Sequence, residues 1–230
     1  MRRVARISRG VAALAFMTAS ITVTAQNLPA RGLKIVSIFG VGSVAESSMR
    51  VLSQRMTQSL GMPVITETRA GAGGVIGGQQ VARSTPDGST VLFTEIVQQL
   101  VAPMLQKEKP FDPVKDLVPI TNALEGGICL VAANNTPFGN MRELIDYARR
   151  NPGKLAYGSG GVGALNHLQM ELIKQQLGLQ ITHVPYKGGT ASMTDVIAGQ
   201  IPLGFVAIGA AVPNLKSGKL KILEIGRAHV

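Results

Sequence analysis

Two glycine-rich turns carry the chemistry most open to this sequence. Gly40-Val41-Gly42-Ser43-Val44-Ala45 and Gly158-Ser159-Gly160-Gly161-Val162-Gly163 each follow an apolar run and precede a helical pattern. A turn so placed aims main-chain N–H groups at a helix start, where unpaired donors and the helix dipole attract an anion. Both also satisfy the dinucleotide spacing G-x-G-x-x-G/A, and Glu67 stands near the end of the strand after the first turn, where a ribose-binding acid would sit. A dinucleotide-dependent oxidoreductase using Gly40–Ala45 and Glu67 is therefore one reading. The second turn has His183 and no acid at the matching strand end, which weakens it as a nucleotide site.

Other catalytic chemistry is thin. His167 and His183 are the histidines away from the chain end, and neither belongs to an H-x-x-x-H or Cys/His spacing, so no metal and no cofactor is expected. There is no G-x-S-x-G elbow, and Ser159 has no evident base, so His167 reads as a packing histidine and the chain as a non-enzyme. The single cysteine, Cys129, lies in an apolar strand, where burial is expected, and one cysteine excludes an internal disulfide.

The elements that must hold these turns alternate. Leu33–Phe39 reads as a strand buried on both faces, and Met49, Leu52, Met56 and Leu60 recur at helical spacing up to the stop at Gly61. Strands over 63–66 and 90–94 flank a helix over 75–84, which ends before the turn Pro86-Asp87-Gly88. Further along, strands are expected at 116–121, 128–133, 155–157, 181–184 and 203–208, with helices at 140–151, 164–177 and 190–198. In the helix at 140–151, Glu143 in the first turn and Arg149 and Arg150 in the last complement the dipole. The pattern is α/β, two lobes of mostly parallel sheet flanked by helices, joined near residues 112–123.

Both ends stand apart from this pattern. Residues 1–25 read as an export signal: Arg2, Arg3, Arg6 and Arg9, then the apolar Val11–Ile21, then the small-residue site Val23-Thr24-Ala25. The apolar core is shorter than the roughly 18 residues a spanning helix needs. At the other end, residues 224–230 are encoded by GAGATCGGAAGAGCACACGTC, a string similar to a widely used sequencing-library adapter. We expect the natural frame to stop near Leu223; the alternative is a strand over 220–225 that closes the chain.

Charge and composition exclude other classes. At 45% hydrophobic and 16% charged residues the chain is globular. Four of the ten formal positive charges sit on the leader arginines, which leaves +6 for the remainder. With six Phe, three Tyr, no Trp and no aromatic-interleaved basic run, a nucleic-acid surface is unsupported, whereas a mild positive field suits small anions.

Six blocks then occur in one order: Gly71-Ala72-Gly73-Gly74-Val75-Ile76-Gly77, Thr85-Pro86-Asp87-Gly88, Phe111-Asp112-Pro113-Val114-Lys115-Asp116, Asn151-Pro152-Gly153-Lys154-Leu155, His167-Leu168, and His183-Val184-Pro185-Tyr186-Lys187-Gly188. Together they resemble the solute receptors of tripartite tricarboxylate transporters, the Bug family, over about residues 33–223. The resemblance implies a type II periplasmic-binding fold, a small carboxylate held between the lobes, membrane permease subunits as partners, a periplasmic location and a monomer. It implies a first lobe over 26–122, incomplete because the family chain crosses back after the second lobe, and a second lobe over 123–223. It also implies that Phe39, Gly40, Val41, Gly42 and Ser43 face Ser159, Gly160, Gly161, Val162 and Gly163 across the cleft, with Thr190 as a third contact. Family members commonly carry P-P-G-G-S-T-D at the first turn, where this chain has Gly40–Glu46, and they often have Ser or Thr at the position of Ala164 and a polar pair at Val206-Ala207. The cleft is accordingly expected to be more apolar, suited to a monocarboxylate or an aromatic or amphipathic acid.

Overall fold

The computed structural model describes residues 32–227, so the leader at 1–25 and the last three residues of the tail lie outside the described part. In the first lobe, β1 (Leu33–Ser37) lies between β2 (Val64–Thr68) and β3 (Thr90–Phe93) in a fully parallel sheet. As expected for a central strand, every β1 residue except Lys34 is buried. α1 (Val44–Leu60) returns across the sheet with Met49 packed among Leu33, Ile35 and Val91. It stops where Gly61 takes φ 65°, a left-handed cap that costs glycine nothing, and the Gly61 amide donates to the Thr57 carbonyl. α2 (Val75–Ala82) and α3 (Ile96–Val101) also belong to this lobe, and α3 tightens into a 3₁₀ turn over Ala102–Leu105.

The second lobe is larger. β4 (Gly127–Ala133), β5 (Leu155–Ser159), β6 (Ile181–Pro185), β7 (Leu203–Ala207) and β8 (Leu220–Arg227) form one sheet in the order β6-β5-β7-β4-β8. β5 is parallel to both neighbours, whereas β4 is antiparallel to β7 and β8, so this sheet is mixed. Alternate residues of β4 feed opposite cores: Leu130 and Ala132 join Leu144, Tyr157, Met170 and Leu203, while Cys129, Val131 and Ala133 join Val196 and Ala211. α4 (Met141–Arg150) and α5 (Leu165–Leu177) supply Leu144 and Met170 to the first of these cores, and α6 (Gly189–Ile197) and α7 (Ile208–Lys216) supply Val196 and Ala211 to the second. Leu144 and Met170 are almost fully buried, and truncating either to alanine would cost about 2–5 kcal/mol. α4 is capped as its sequence implies, since the Asn140 side chain accepts from the Glu143 amide and the Glu143 carboxylate accepts from the Gly139 amide.

Four elements depart from the sequence expectation. Residues 116–121 are irregular, with Val118 and Ile120 85% and 78% exposed. Among the described residues no sheet edge pairs with them, and a strand without a partner leaves its backbone groups unsatisfied. α3 and α7 form where no helix was expected, and Pro213 lies inside α7. In α7 the packing of Ala211 into the core outweighs the N–H that Pro213 lacks. Finally, β8 pairs with β4 as far as Gly127 opposite Arg227, and its register slips at Leu223, immediately before residues 224–230.

Candidate functional site

The carboxyl ends of the parallel strands from both sheets meet, and glycines make the approach possible. After β1, a Cβ on Gly40 would sit 3.3 Å from the Lys187 carbonyl oxygen, and one on Gly188 would sit 3.6 Å from the Gly40 backbone. After β2, a Cβ on Gly73 would collide with the Val162 carbonyl, and one on Gly163 would lie 2.8 Å from Ala102. After β7, Gly209 faces the Val44 side chain. Ligands of open α/β sheets bind at this end of the strands, outside their carboxyl termini.

The contacts refine the expected facing. The Phe39–Ser43 turn meets Lys187–Gly188, while the Ser159–Gly163 turn meets Gly73 and Ala102, so the two named turns lie side by side along one interface and each has a different direct partner. The glycine-rich Gly71–Gly74 segment was therefore missed as a site element. Its signal was present, a glycine cluster directly after a strand, and the fold uses it through positive φ at Gly71, Ala72, Gly73 and Gly74.

Within the first turn, Phe39 stacks edge-on against Phe93 at 5.6 Å and Val41 is 68% exposed. Gly42 takes φ 80° and Ser43 caps α1, its hydroxyl accepting from the Glu46 amide at 3.1 Å. The Glu46 carboxylate is buried; it accepts the Gly42 N–H at 3.4 Å and pairs with Arg50. A nucleotide pyrophosphate at this helix start would meet that carboxylate. Glu67 is also engaged, bound by Lys34, Arg69 and Gln80. The geometry thus gives no support to the dinucleotide reading.

The second turn is built from neutral acceptors. Ser159, fully buried, has its Oγ 2.6 Å from His183 Nε2, so it does have an imidazole partner, contrary to the sequence expectation. The same oxygen accepts the Gly161 N–H at 3.1 Å. Asn166 Oδ1 accepts from Gly160 and His167 Nδ1 accepts from Gly163, both at 3.2 Å. Val162 is 46% exposed at the tip. The two imidazole rings lie 4.2 Å apart, and Tyr157 stacks on His183 at 4.9 Å. Below them Tyr157 donates to Glu171, which also pairs with Lys174, each at 2.7 Å. Burial pushes His183 down to about 4, and the neighbouring His167 adds to that; burial likewise lowers His167. Both rings are therefore neutral at neutral pH. Ser159 has no solvent exposure in this arrangement, and through His183 and Gly161 it braces the turn.

Helices α5, α6 and α7 all begin without a side-chain cap, at Ala164, Gly188 and Ala207, which leaves first-turn amides free for an anion. Thr190 is the second residue of α6, half-buried, and its carbonyl accepts from the Thr194 hydroxyl. Cys129 is fully buried, and burial pushes its thiol up to about 11. Among the described residues no group of three or more His, Cys, Asp or Glu is placed to hold a metal, and no helix is long and apolar enough to cross a membrane.

Two α/β lobes that meet at the carboxyl ends of their strands define the class of two-lobe solute-binding receptors. Comparison with known proteins agrees: residues 48–229 match the tripartite tricarboxylate transporter family receptor, and the chain belongs to that family. A UPF0065 protein of Bordetella pertussis is 34% identical over 219 residues, covering 94% of this chain and 67% of that protein. Among solved structures, R. palustris Rpa4515 with adipate superposes with a TM-score of 0.80 at 28% identity, over 87% of this chain and 67% of that one. MatC from Rhodopseudomonas palustris with bound malate gives 0.79 at 26% identity, again over 87% and 67%. The chain thus spans about two thirds of the length of these relatives. The family and these neighbours are substrate-binding receptors.

Proposed function

We propose that the protein is an exported receptor that captures a small carboxylate between its lobes and delivers it to the membrane permease of a tripartite tricarboxylate-type transporter. The observation that carries this reading is the meeting of glycine turns from both lobes at the carboxyl ends of their strands. Carboxylate oxygens are gripped by main-chain amides at the uncapped helix starts and by ordered water, without a resident cation. Ligand contacts made to both lobes favour the closed state, so binding is coupled to hinge closure. The related structures with adipate and malate support a carboxylate ligand. Val41 and Val162, exposed on the two turns, support a monocarboxylate or an amphipathic acid over a citrate-like one. The leader at 1–25 supports periplasmic action, and the receptor acts as a monomer.

Calorimetric titration against a panel of mono-, di- and tricarboxylates tests this. Amphipathic mono- or dicarboxylates are expected to bind best and to raise the melting temperature, while NAD leaves it unchanged. Strongest binding by citrate overturns the ligand class, and stabilisation by NAD alone overturns the receptor reading.

A further inference from the structure

We propose that His167 and His183 are positioning residues for the Ser159–Gly163 turn, setting through two neutral imidazole acceptors the geometry with which its backbone meets a ligand. The inference rests on the carboxylate-receptor reading for its functional consequence, but its structural content stands separately. His167 Nδ1 accepts the Gly163 N–H at 3.2 Å from the next helix, and His183 Nε2 meets Ser159 Oγ at 2.6 Å from the neighbouring strand. Ser159 in turn accepts from Gly161 at 3.1 Å, so both glycines that adopt left-handed φ in this turn, Gly161 at 121° and Gly163 at 82°, are tied to an imidazole directly or through one hydroxyl. Ser159 Oγ also lies 3.2 Å from the Gly161 carbonyl, and the closer imidazole nitrogen is the better acceptor for its proton.

Accepting requires an unprotonated nitrogen in each ring, which fixes His167 as its Nε2–H tautomer. The surroundings enforce that state. The two rings lie 4.2 Å apart and tilted, with His183 also stacked on Tyr157, so a charge on one imidazole opposes a charge on the other. The groups that face them are Tyr157 and Ser159 from β5, Glu171 and Lys174 from α5, and each other; the Glu171 carboxylate is already shared between Tyr157 and Lys174. The first-lobe atoms nearest the glycines of this turn belong to Gly73, Ala102 and Leu105, none of which is ionisable.

The test uses the full chain with malate and adipate as probes, titrated calorimetrically at pH 7.5. His167→Leu and His183→Leu are each expected to weaken binding roughly tenfold or more, the loss of one buried hydrogen bond with an orphaned partner. His167→Asn places an amide oxygen near the position of Nδ1, and His183→Gln places a polar group near that of Nε2, so each recovers most of the loss. Leucine variants that bind like wild type, or Asn and Gln variants as weak as Leu with unchanged melting temperatures, overturn the proposal. If wild type binds neither acid, the receptor reading has failed on these probes, and NMR decides the positioning role without a ligand. The Gly163 amide resonance is expected to move with the His167 imidazole titration in wild type and to lose that movement in His167→Asn. A Gly163 amide that ignores the imidazole titration overturns the proposal.

Discussion

The two glycine turns share a spacing and differ in what closes them. At the first, α1 is capped by Ser43, and the buried Glu46 carboxylate takes the Gly42 amide and pairs with Arg50. At the second, the acceptors are a hydroxyl, an amide and an imidazole, and α5 begins at Ala164 with no side-chain cap. The first helix start therefore already holds an anion of its own, while the second keeps its dipole and free amides for an incoming one. The pattern of glycines fixes where the backbone can turn, but the residues that follow decide whether the turn attracts charge. Under the proposed function, the second lobe would supply the main grip on the carboxylate and the first lobe would chiefly close over it.

The harshest way to break that division is to block closure from the first-lobe side. A valine at Gly73 would collide with the Val162 carbonyl, at a backbone φ of 61° that suits glycine. Gly73→Val is expected to weaken carboxylate binding about a hundredfold or more, read by calorimetry, because only the second lobe can then contact the ligand. Near wild-type affinity would show that closure across Gly73 is irrelevant. A second change sharpens the contrast in acidity. Glu95, which follows β3 at the start of α3, has no side-chain cap hydrogen bond, and burial raises its carboxyl to about 7. A carboxyl raised in the fold favours its protonated form, so its contribution to stability is full below about pH 4.5 and is lost as pH rises through about 7. Glu95→Gln is expected to flatten that slope and to stabilise the protein at pH 8 by on the order of 2 kcal/mol. Urea unfolding at pH 4.5 and pH 8 measures it, and equal pH slopes in the two proteins would place Glu95 in water.

Much of this was legible in the sequence, for definite reasons. β1 showed as a short β-branched run, interrupted only by Lys34 and Ser37, because it is buried on both faces, and α4 showed through Asn140, Glu143 and its terminal arginines because capping is local chemistry. The segment 116–121 misled because Val118 and Ile120 have strand composition, yet strand formation depends on an edge to pair with. Within the site, the glycine turns were visible but their pairing was not. Gly73 meets Val162 only because two sheets approach end to end, a relation with no sequence period. The Ser159–His183 contact was hidden in the same way, since twenty-four residues separate them and the parallel register of β5 with β6 brings them together. Glu46 was readable as a departure from the family motif, but its burial at the helix start was not.

The gentlest test goes to the charge itself. Glu46→Gln keeps an oxygen that can accept the Gly42 N–H, and it removes the negative charge while leaving the Arg50 guanidinium in place. If the first turn repels a ligand carboxylate that closure brings near it, malate is expected to bind roughly three- to tenfold tighter at low salt, the scale of one unit charge several ångströms away in a medium of intermediate dielectric. Arg50 is 60% exposed at its side chain, so most of this gain is expected to disappear at about 0.5 M salt. A dicarboxylate should gain more than a monocarboxylate, because its second charge reaches the first lobe while the other is held at α5. Equal gains for both would mean that the first turn acts on net charge alone, and no gain at low salt would mean that Glu46 and Arg50 already cancel at the ligand, which removes the electrostatic half of the contrast between the turns.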